Sequence, residues 1–217
     1  MAVEQHVFEW LKEFAPCKLL SLGYPDLLIH DPGPQRFDSR EVAKWHHWNH
    51  PVPDTEAVFK ALGIEATYID IYPSRGVETV VDLNYPTDLE GFDVVLDPGT
   101  IEHCFNIGQA FQNIAKAVKV GGHVIHTNPM TRANHGFWSI SPTAYMDWYE
   151  TNGFDVRAMG GIGGRLDDRV VVEVEPHERF TAPPELDILV VAKKLREMNA
   201  VWPTQWKYRQ NPDLKRV

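Results

Sequence analysis

GFDVVLDPGTIEHCFNIGQAFQNIAKAVKVGGHVIHTNP, residues 91–129, is the stretch that decides the fold. It contains two short apolar runs, at 92–99 and 121–129, on either side of a helical pattern at 106–119. Short apolar runs bounded by glycine and proline are typical of buried strands, and parallel strands need a long connection that is usually a helix. The stretch therefore predicts one β-α-β unit of a parallel sheet.

The same alternation continues on both sides of this unit. Strand patterns precede it at 17–23, 65–71 and 79–84, and a helical pattern at 141–153 follows it. Further strand patterns occupy 154–161, 169–176 and 185–195, of which the last two read as closing antiparallel strands. Alternating strands and helices predict an α/β fold with a doubly wound, mostly parallel sheet and helices on both faces. Eight runs show a strand pattern, and we expect a seven-stranded sheet.

The chain length favours a single domain spanning residues 1–217, since 217 residues with 43% hydrophobic content can bury one substantial core. Helical spacing of apolar residues predicts a cover helix at 3–14. Residues 25–53 combine six prolines and glycines with four histidines and two tryptophans, which predicts a long, irregular, lid-like insertion. An aromatic tail at 200–217 completes the chain.

Composition argues against several classes of partner. A net charge of −9 disfavours general binding to nucleic acid, because that affinity depends on cations that displace counterions from phosphates. No apolar run is long enough to cross a membrane, the first residues lack the pattern of a signal peptide, and two distant cysteines suggest no disulfide framework. We expect a cytoplasmic protein with a small-molecule substrate. The sequence leaves the oligomeric state open, and a homodimer is compatible with it.

Three motifs in the deciding stretch carry a resemblance to a known family. They are Phe92-Asp93 at the start of a strand, Glu102-His103 at its exit, and the turn Lys119-Val120-Gly121-Gly122. Through them the chain resembles the class I S-adenosylmethionine-dependent methyltransferases over residues 64–156. The resemblance implies a Rossmann-like fold, S-adenosyl-L-methionine as cofactor, and methyl transfer to an oxygen or nitrogen atom. The segment 134–156 is similar to one found in members that act on small metabolites or sugars. We therefore expect a small polar metabolite as substrate, such as a sugar or sugar nucleotide.

The ends of the predicted strands supply the candidate cofactor contacts, because ligands of such sheets bind beyond the carboxyl ends of the strands. Asp70 closes the second strand, where an acid can accept both ribose hydroxyls, and Asp82 with Leu83 would flank the adenine. An aspartate at a strand end is also an ordinary turn former, so this structural role remains the alternative for both acids. The full set of predicted cofactor contacts is Leu22, Gly23, Tyr24, Asp70, Ile71, Asp82, Leu83, Asp97, Pro98 and Gly99.

The first strand departs from the family pattern of an acid followed by a glycine-rich turn. Ser21 stands in place of the acid, Gly23 remains of the glycines, and Pro25 removes a backbone donor. One interpretation is that cofactor binding persists, with Asp26 or Asp31 replacing the lost acid. The other interpretations are a non-catalytic binding or partner protein that has lost normal cofactor binding, and a different enzyme that reuses the crevice.

Two histidines are candidate catalytic bases, since the ordinary pKa of histidine lies near neutrality. His103 follows the fourth strand, and His135 lies in the loop after the fifth; a packing role is the alternative for each. Asn128, Trp138 and Tyr145 are predicted to bind the substrate through hydrogen bonds and ring stacking. For the two aromatic residues, core packing is an equally good interpretation.

The segment WHHWNH at 45–50 offers three imidazoles. His46 and His50 have the spacing of metal ligands on a helix. Pro51 and Pro53 follow immediately and no acid completes the set, which favours an aromatic lid that shields the pocket from water. No metal site is predicted from the sequence.

Overall fold

The computed structural model describes residues 1–30, 40–165 and 168–214. Within these ranges the strands are β1 (Ala2–Glu4), β2 (Cys17–Leu22), β3 (Asp26–Leu28), β4 (Ile64–Asp70), β5 (Thr79–Val80), β6 (Phe92–Asp97), β7 (Val118–Pro129), β8 (Phe154–Arg165), β9 (Asp168–Val172) and β10 (Asp187–Lys194). The helices are α1 (Gln5–Phe14), α2 (Arg40–Trp45), α3 (Thr55–Ala61), α4 (Ile107–Ala117) and α5 (Pro142–Thr151), with short 3₁₀ turns at Ile101–His103 and Trp206–Tyr208.

Local sequence signals explain where several helices begin. The Asp54 carboxylate accepts a hydrogen bond of 2.8 Å from the Ala57 N–H, which caps α3. Asn106 caps α4 in the same way through the Gln109 N–H, and Pro142 occupies the first turn of α5, where its missing N–H costs nothing. Among the described residues, no helix is long and apolar enough to cross a bilayer.

The main sheet has the order β5-β4-β2-β6-β7-β10-β8-β9. All neighbours from β5 to β7 pair in parallel, whereas β10 pairs antiparallel with both β7 and β8. The predicted fold class is confirmed: the sheet is doubly wound and mostly parallel. The predicted count of seven strands is wrong, because the described chain places eight strands in this sheet and pairs β1 with β3 in a second, two-stranded one.

Helices cover both faces of the sheet, and alternate side chains of each strand point to opposite faces. Leu20 packs in the core beneath α4 and α5, with Phe111 and Tyr145, whereas its neighbour Leu19 packs beneath α1 and α3. The chain runs outward from β2 to β4 and β5 and then returns to β6 on the other side of β2. The strand order therefore reverses between β2 and β6, which is where ligands bind in folds of this kind.

The described parts of the insertion at 25–53, residues 25–30 and 40–53, are more ordered than their composition predicts. Its first residues form β3, which pairs with β1, so the N-terminal helix begins at Gln5 rather than at residue 3. Leu28 and Trp48 pack with Val42 and Val52 in a small core of their own. Buried apolar side chains thus stabilise this segment despite its prolines.

The described part of the tail, to residue 214, packs on the same chain. The Val201 N–H donates to Asn152 Oδ1 over 2.7 Å, and the Trp206 N–H donates to Asp147 Oδ2 over 2.9 Å. Arg209 also pairs with Asp147. These contacts place the tail against α5, on the face of the sheet that α4 and α5 cover.

Candidate functional site

Among the cavities that the described residues form at the carboxyl ends of the strands, two together are lined by most of the predicted site residues. The first has a volume of about 280 Å³ and lies between the ends of β4 and β6. The second, of about 590 Å³, is lined largely by charged and imidazole side chains. Gly99, His103 and the side chain of Met1 line both cavities and mark the boundary between them.

Asp70 lies at the end of β4 and lines the first cavity, as the strand-end rule predicts. Its Oδ1 accepts a hydrogen bond of 3.0 Å from the Tyr72 N–H. Its Oδ2 points toward Gly23, where it would lie 3.4 Å from an added Cβ atom. The carboxylate therefore stands between the first cavity and the turn that follows β2.

Asp82 and Leu83 also line the first cavity. Asp82 Oδ1 accepts hydrogen bonds from both the backbone and the side chain of Asn84, at 2.9 and 2.8 Å. Leu83 is buried in the cavity wall, whereas Ile71 is 66% exposed at its rim. Cys104 completes this wall, and burial raises the pKa of its thiol to about 12. The cavity thus has apolar walls with carboxylates at two edges.

The turn after β2 has a conformation that only glycine adopts without strain. Gly23 has φ +100°, and its N–H donates to the Ile69 carbonyl over 2.6 Å. The Ser21 hydroxyl closes the turn by donating to the Gly23 carbonyl over 2.7 Å. Ser21 is wholly buried, so it supports the turn and does not line either cavity.

The side chain of Met1 lies directly on this turn. An added Cβ at Gly23 would overlap Met1 Cε and lie 2.7 Å from its Sδ. The Thr100 hydroxyl lies 2.9 Å from the same sulfur, and the Met1 amino nitrogen is 4.0 Å from Asp26 Oδ2. The chain's own thioether therefore lies on the Gly23 turn at the boundary between the two cavities, and its amino group lies near Asp26.

Asp26 is the acid that the structure brings to this turn. It is buried and bound by Arg75, at 2.7 and 2.9 Å, and by His46 Nε2 at 3.0 Å. Asp31, the other predicted substitute for the lost acid, lies outside the described residues. Tyr24 packs on Tyr68 with ring centres 5.1 Å apart and does not line the first cavity.

Leu22 and Asp97 are turned into the protein, away from both cavities. Leu22 is buried, and its carbonyl accepts a hydrogen bond from the Thr100 hydroxyl. Asp97 is fully buried; its Oδ1 accepts from the Thr100 N–H over 2.9 Å, and its Oδ2 accepts from His126 Nδ1 over 2.7 Å. Of the neighbouring predicted contacts, Pro98 lines the second cavity and Gly99 lines both.

The predicted substrate residues Asn128 and Tyr145 are also buried. Asn128 donates to Asp97 Oδ2 and to Glu102 Oε2, both over 2.9 Å, and its Oδ1 accepts from the Tyr145 hydroxyl. They form a polar network beneath the second cavity instead of lining it. Trp138 lies at the surface, where its indole N–H donates to the Cys104 carbonyl over 3.0 Å.

Glu102 lies between the two candidate bases. It is fully buried, and its Oε1 is 3.8 Å from His103 Nε2 and 3.6 Å from His135 Nε2. Burial, reinforced by the nearby charge of Asp97, raises the pKa of Glu102 to about 8, and burial also lowers the pKa of His103. Both imidazoles line the second cavity, and His103 also reaches the first.

Comparisons with known proteins reveal a similarity of fold. No family model and no curated protein sequence matches the chain. Among solved structures, a 1,6-didemethyltoxoflavin-N1-methyltransferase from Burkholderia thailandensis aligns with TM-score 0.46 and 13% identity, over 83% of this chain and 72% of that one. TehB from Haemophilus influenzae aligns with TM-score 0.45 and 13% identity, over 88% of this chain but only 62% of TehB.

A third structure, a TehB-like SAM-dependent methyltransferase from Corynebacterium glutamicum, is 16% identical with TM-score 0.43, over 86% of this chain and 85% of that one. Similarity at this level is restricted to the fold and carries no conclusion about reaction or substrate. Any function must therefore be argued from the site itself.

Sequence reasoning missed three contributors to the site. Glu102 belongs to the Glu102-His103 motif, and an acid directly followed by histidine at a strand exit is the sequence signal for its role. Thr100 and Met1 gave no such signal. Met1 reaches the site because β1 pairs with β3, which brings the start of the chain beside the Gly23 turn.

Proposed function

We propose that this chain is an S-adenosylmethionine-dependent methyltransferase that acts on an oxygen or nitrogen atom of a small polar metabolite, such as a sugar or sugar nucleotide. One observation carries the proposal. A small cavity with the Asp70 carboxylate at its edge lies at the switch point of the sheet, next to a glycine turn that already holds a thioether and an amino group.

The first cavity suits the nucleoside part of the cofactor. Its volume of about 280 Å³ is just below the roughly 300–1,000 Å³ typical of sites for whole drug-sized ligands. Asp70 Oδ2 is available to accept hydrogen bonds from ribose hydroxyls, as acids do at the end of the second strand in dinucleotide sites. Leu83 and Ile71 offer apolar surface to the adenine, and Asp82 lies at its edge.

The Gly23 turn suits the methionine part. The absence of a side chain lets a sulfur atom approach the backbone, as the Met1 thioether does in this structure. Asp26, 4.0 Å from the Met1 amino nitrogen, would hold the corresponding amino group of the cofactor. When bound, the cofactor supplies an activated methyl group. Its binding requires the Met1 side chain to leave the turn.

The second cavity suits the methyl acceptor. Its walls include the ion pairs Arg132–Asp187, with a closest contact of 2.7 Å, and Arg169–Glu4, which favour a polar molecule over an apolar one. His103 lines both cavities, so its imidazole is placed to take a proton from an acceptor hydroxyl or amine beside the methyl group. His135, on the same wall, is the second candidate base.

A second candidate function is a non-catalytic binding or partner protein built on the same fold. The observation that favours it is that Met1 fills the methionine part of the proposed site. The two functions differ in whether the chain binds S-adenosylhomocysteine once Met1 is absent. A chain that starts at Ala2 and binds none at millimolar ligand supports the second candidate and contradicts the first.

The Asp70→Ala variant tests the proposed ribose contact. We expect the affinity for S-adenosylhomocysteine, measured by calorimetry on a chain that starts at Ala2, to fall about 5- to 150-fold, because removing the carboxylate leaves ribose hydroxyls unpaired at a cost of about 1–3 kcal/mol. Asp88→Ala is the matched control, since Asp88 is fully exposed and far from the cavity. Equal affinities for the two variants would refute the assignment of Asp70.

A further inference from the structure

We propose that Glu102, His103 and His135 form a binding site for a divalent transition-metal cation that opens into the second cavity. The three side chains come from the 3₁₀ turn after β6 and from the loop between β7 and α5. The site does not depend on the proposed methyl transfer, because metal binding can be measured on the chain alone.

The distances fit a metal site after small movements. One ligand atom from each of the three residues lies within 4.8 Å of the other two, and the Glu102 Oε1 to His Nε2 distances are 3.8 and 3.6 Å. Metal–ligand bonds of about 2.0–2.2 Å place donor atoms about 3–3.5 Å apart. The imidazoles of His103 and His135 are about half exposed, so each is free to move by the roughly 1 Å that closing these separations requires.

An unpaired oxygen is the second, independent observation. Glu102 is fully buried, and its Oε1 accepts no hydrogen bond from any described residue. A buried carboxylate oxygen without a partner costs free energy, so such groups in folded proteins call for a ligand, an ion or a water. This oxygen faces the two imidazoles, where a cation would satisfy it.

Hydrogen bonds from neighbouring residues fix the orientation of the Glu102 side chain and the position of the loop that carries His135. Glu102 Oε2 accepts from Asn128, which is fixed in turn by Asp97 and Tyr145; outer partners of this kind orient metal ligands. The Phe137 N–H donates to the Glu102 carbonyl over 2.9 Å, which ties the loop of His135 to the turn.

Gly136 makes this close approach feasible. A Cβ atom at that position would lie 2.7 Å from the Glu102 carbonyl oxygen, closer than real Cβ atoms come to a backbone atom. The glycine therefore allows the loop to bring His135 within reach of Glu102. Gly136 and the hydrogen bond from the Phe137 N–H thus both keep His135 close to Glu102.

Two imidazoles and one carboxylate are a ligand set used by zinc and iron(II), and the set leaves coordination positions open. In this chain the open positions would face the second cavity. A cation there would bind an oxygen of a molecule in that cavity and lower the pKa of a bound hydroxyl. This last role rests on the proposed function: in the metal-bound protein the cation, rather than the free imidazole of His103 or His135, would activate the acceptor hydroxyl.

A second cluster of possible metal ligands consists of Asp147, Glu150 and His177. It differs from the first because its buried acid, Asp147, already has hydrogen-bond partners. Both oxygens of Asp147 are engaged, one by Arg209 and the other by the Trp206 N–H. No buried oxygen of Asp147 is left to bind a cation. We therefore assign no site there, and His177→Ala serves as a control for adventitious binding by a histidine near carboxylates.

The test is calorimetric titration of the untagged, chelator-treated chain with Zn²⁺, Mn²⁺ and Co²⁺, with the visible absorption of Co²⁺ as a second readout. We expect one equivalent of at least one of these ions to bind. Glu102→Gln and His135→Ala should each weaken that binding by at least about 100-fold, since losing even an outer partner of a ligand costs about 10–100-fold. His177→Ala should leave it unchanged.

Three results would overturn the proposal: no binding of any of the three ions at millimolar concentration, binding that neither site variant weakens, or binding that His177→Ala abolishes. The melting temperatures of the metal-free variants show whether weaker binding comes from the missing metal-coordinating side chain or from an unfolded chain. Because His135 is exposed in a loop, its variant should melt close to the unmodified chain. S-adenosylhomocysteine plays no part in the experiment, so failure of the proposed function would not affect its outcome.

Discussion

Replacing Asp97 with alanine is expected to lower the free energy of unfolding by about 3–5 kcal/mol, because several donors lose their acceptor at a cost of about 1–3 kcal/mol for each buried group left unpaired. Asp97 is fully buried and accepts hydrogen bonds from His126, Asn128 and the Thr100 N–H. The substitution removes an acceptor from all three donors, and the side chains of His126 and Asn128 are buried. Urea denaturation followed by circular dichroism measures the change.

Asp88→Ala again provides the comparison, since substitutions at exposed positions usually change stability by no more than about 0.5 kcal/mol. A loss below about 1 kcal/mol for Asp97→Ala would mean that the buried network contributes little. The orientation of the Glu102 side chain would then have to be fixed by residues other than this network.

Replacing Gly23 with alanine is expected to weaken binding of S-adenosylhomocysteine by at least about 100-fold. The new methyl group would enter the space that the Met1 thioether occupies in this structure, and an overlap of that size costs more than the roughly 2.7 kcal/mol that 100-fold represents. Calorimetry on a chain that starts at Ala2 measures the effect.

Gly91→Ala is a matched control for the backbone. Gly91 has φ +84°, close to the +100° of Gly23, but an added Cβ there meets nothing within 4 Å. In both variants alanine must adopt a left-handed conformation, which should lower the free energy of unfolding by about 1–2 kcal/mol. Only Gly23→Ala should also weaken the binding of S-adenosylhomocysteine. Similar affinities in the two variants would show that no ligand approaches the turn closely.

The fold was predictable because its central units carry strong patterns. The apolar runs that became β2, β6, β7 and β10 were all identified, and the caps Asp54 and Asn106 mark the starts of α3 and α4. The strands that escaped prediction, β1 and β3, have three residues each, too few to show an alternating pattern. The run at 79–84 gave only the two-residue β5, because Asp82 turns the chain toward Asn84.

The site was predictable in position but only partly in detail. The rule that ligands bind beyond strand ends placed Asp70, Asp82 and Leu83 around one cavity. It failed to indicate which side chains point inward: Asp97 is drawn into the core by the backbone N–H groups of the turn that follows it. Sequence spacing does not encode the direction in which a side chain leaves the end of a strand.

The features of the candidate site that the sequence does not predict depend on long-range contacts. Nothing in the first residues indicates that Met1 lies on the turn after β2, since that contact depends on the pairing of β1 with β3. Likewise, His135 reaches Glu102 only because Gly136 lets two distant segments meet. Such contacts bring together residues that are far apart in the chain, so local sequence patterns do not predict them.

A crystal structure of the chain with S-adenosylhomocysteine tests the central claim most directly. We expect electron density for the nucleoside between Asp70 and Asp82, with the ligand sulfur over Gly23 and the Met1 side chain displaced. Density for the nucleoside at any other place, or an unmoved Met1 with no nucleoside bound at saturating ligand, would contradict the assignment of this crevice as a cofactor site.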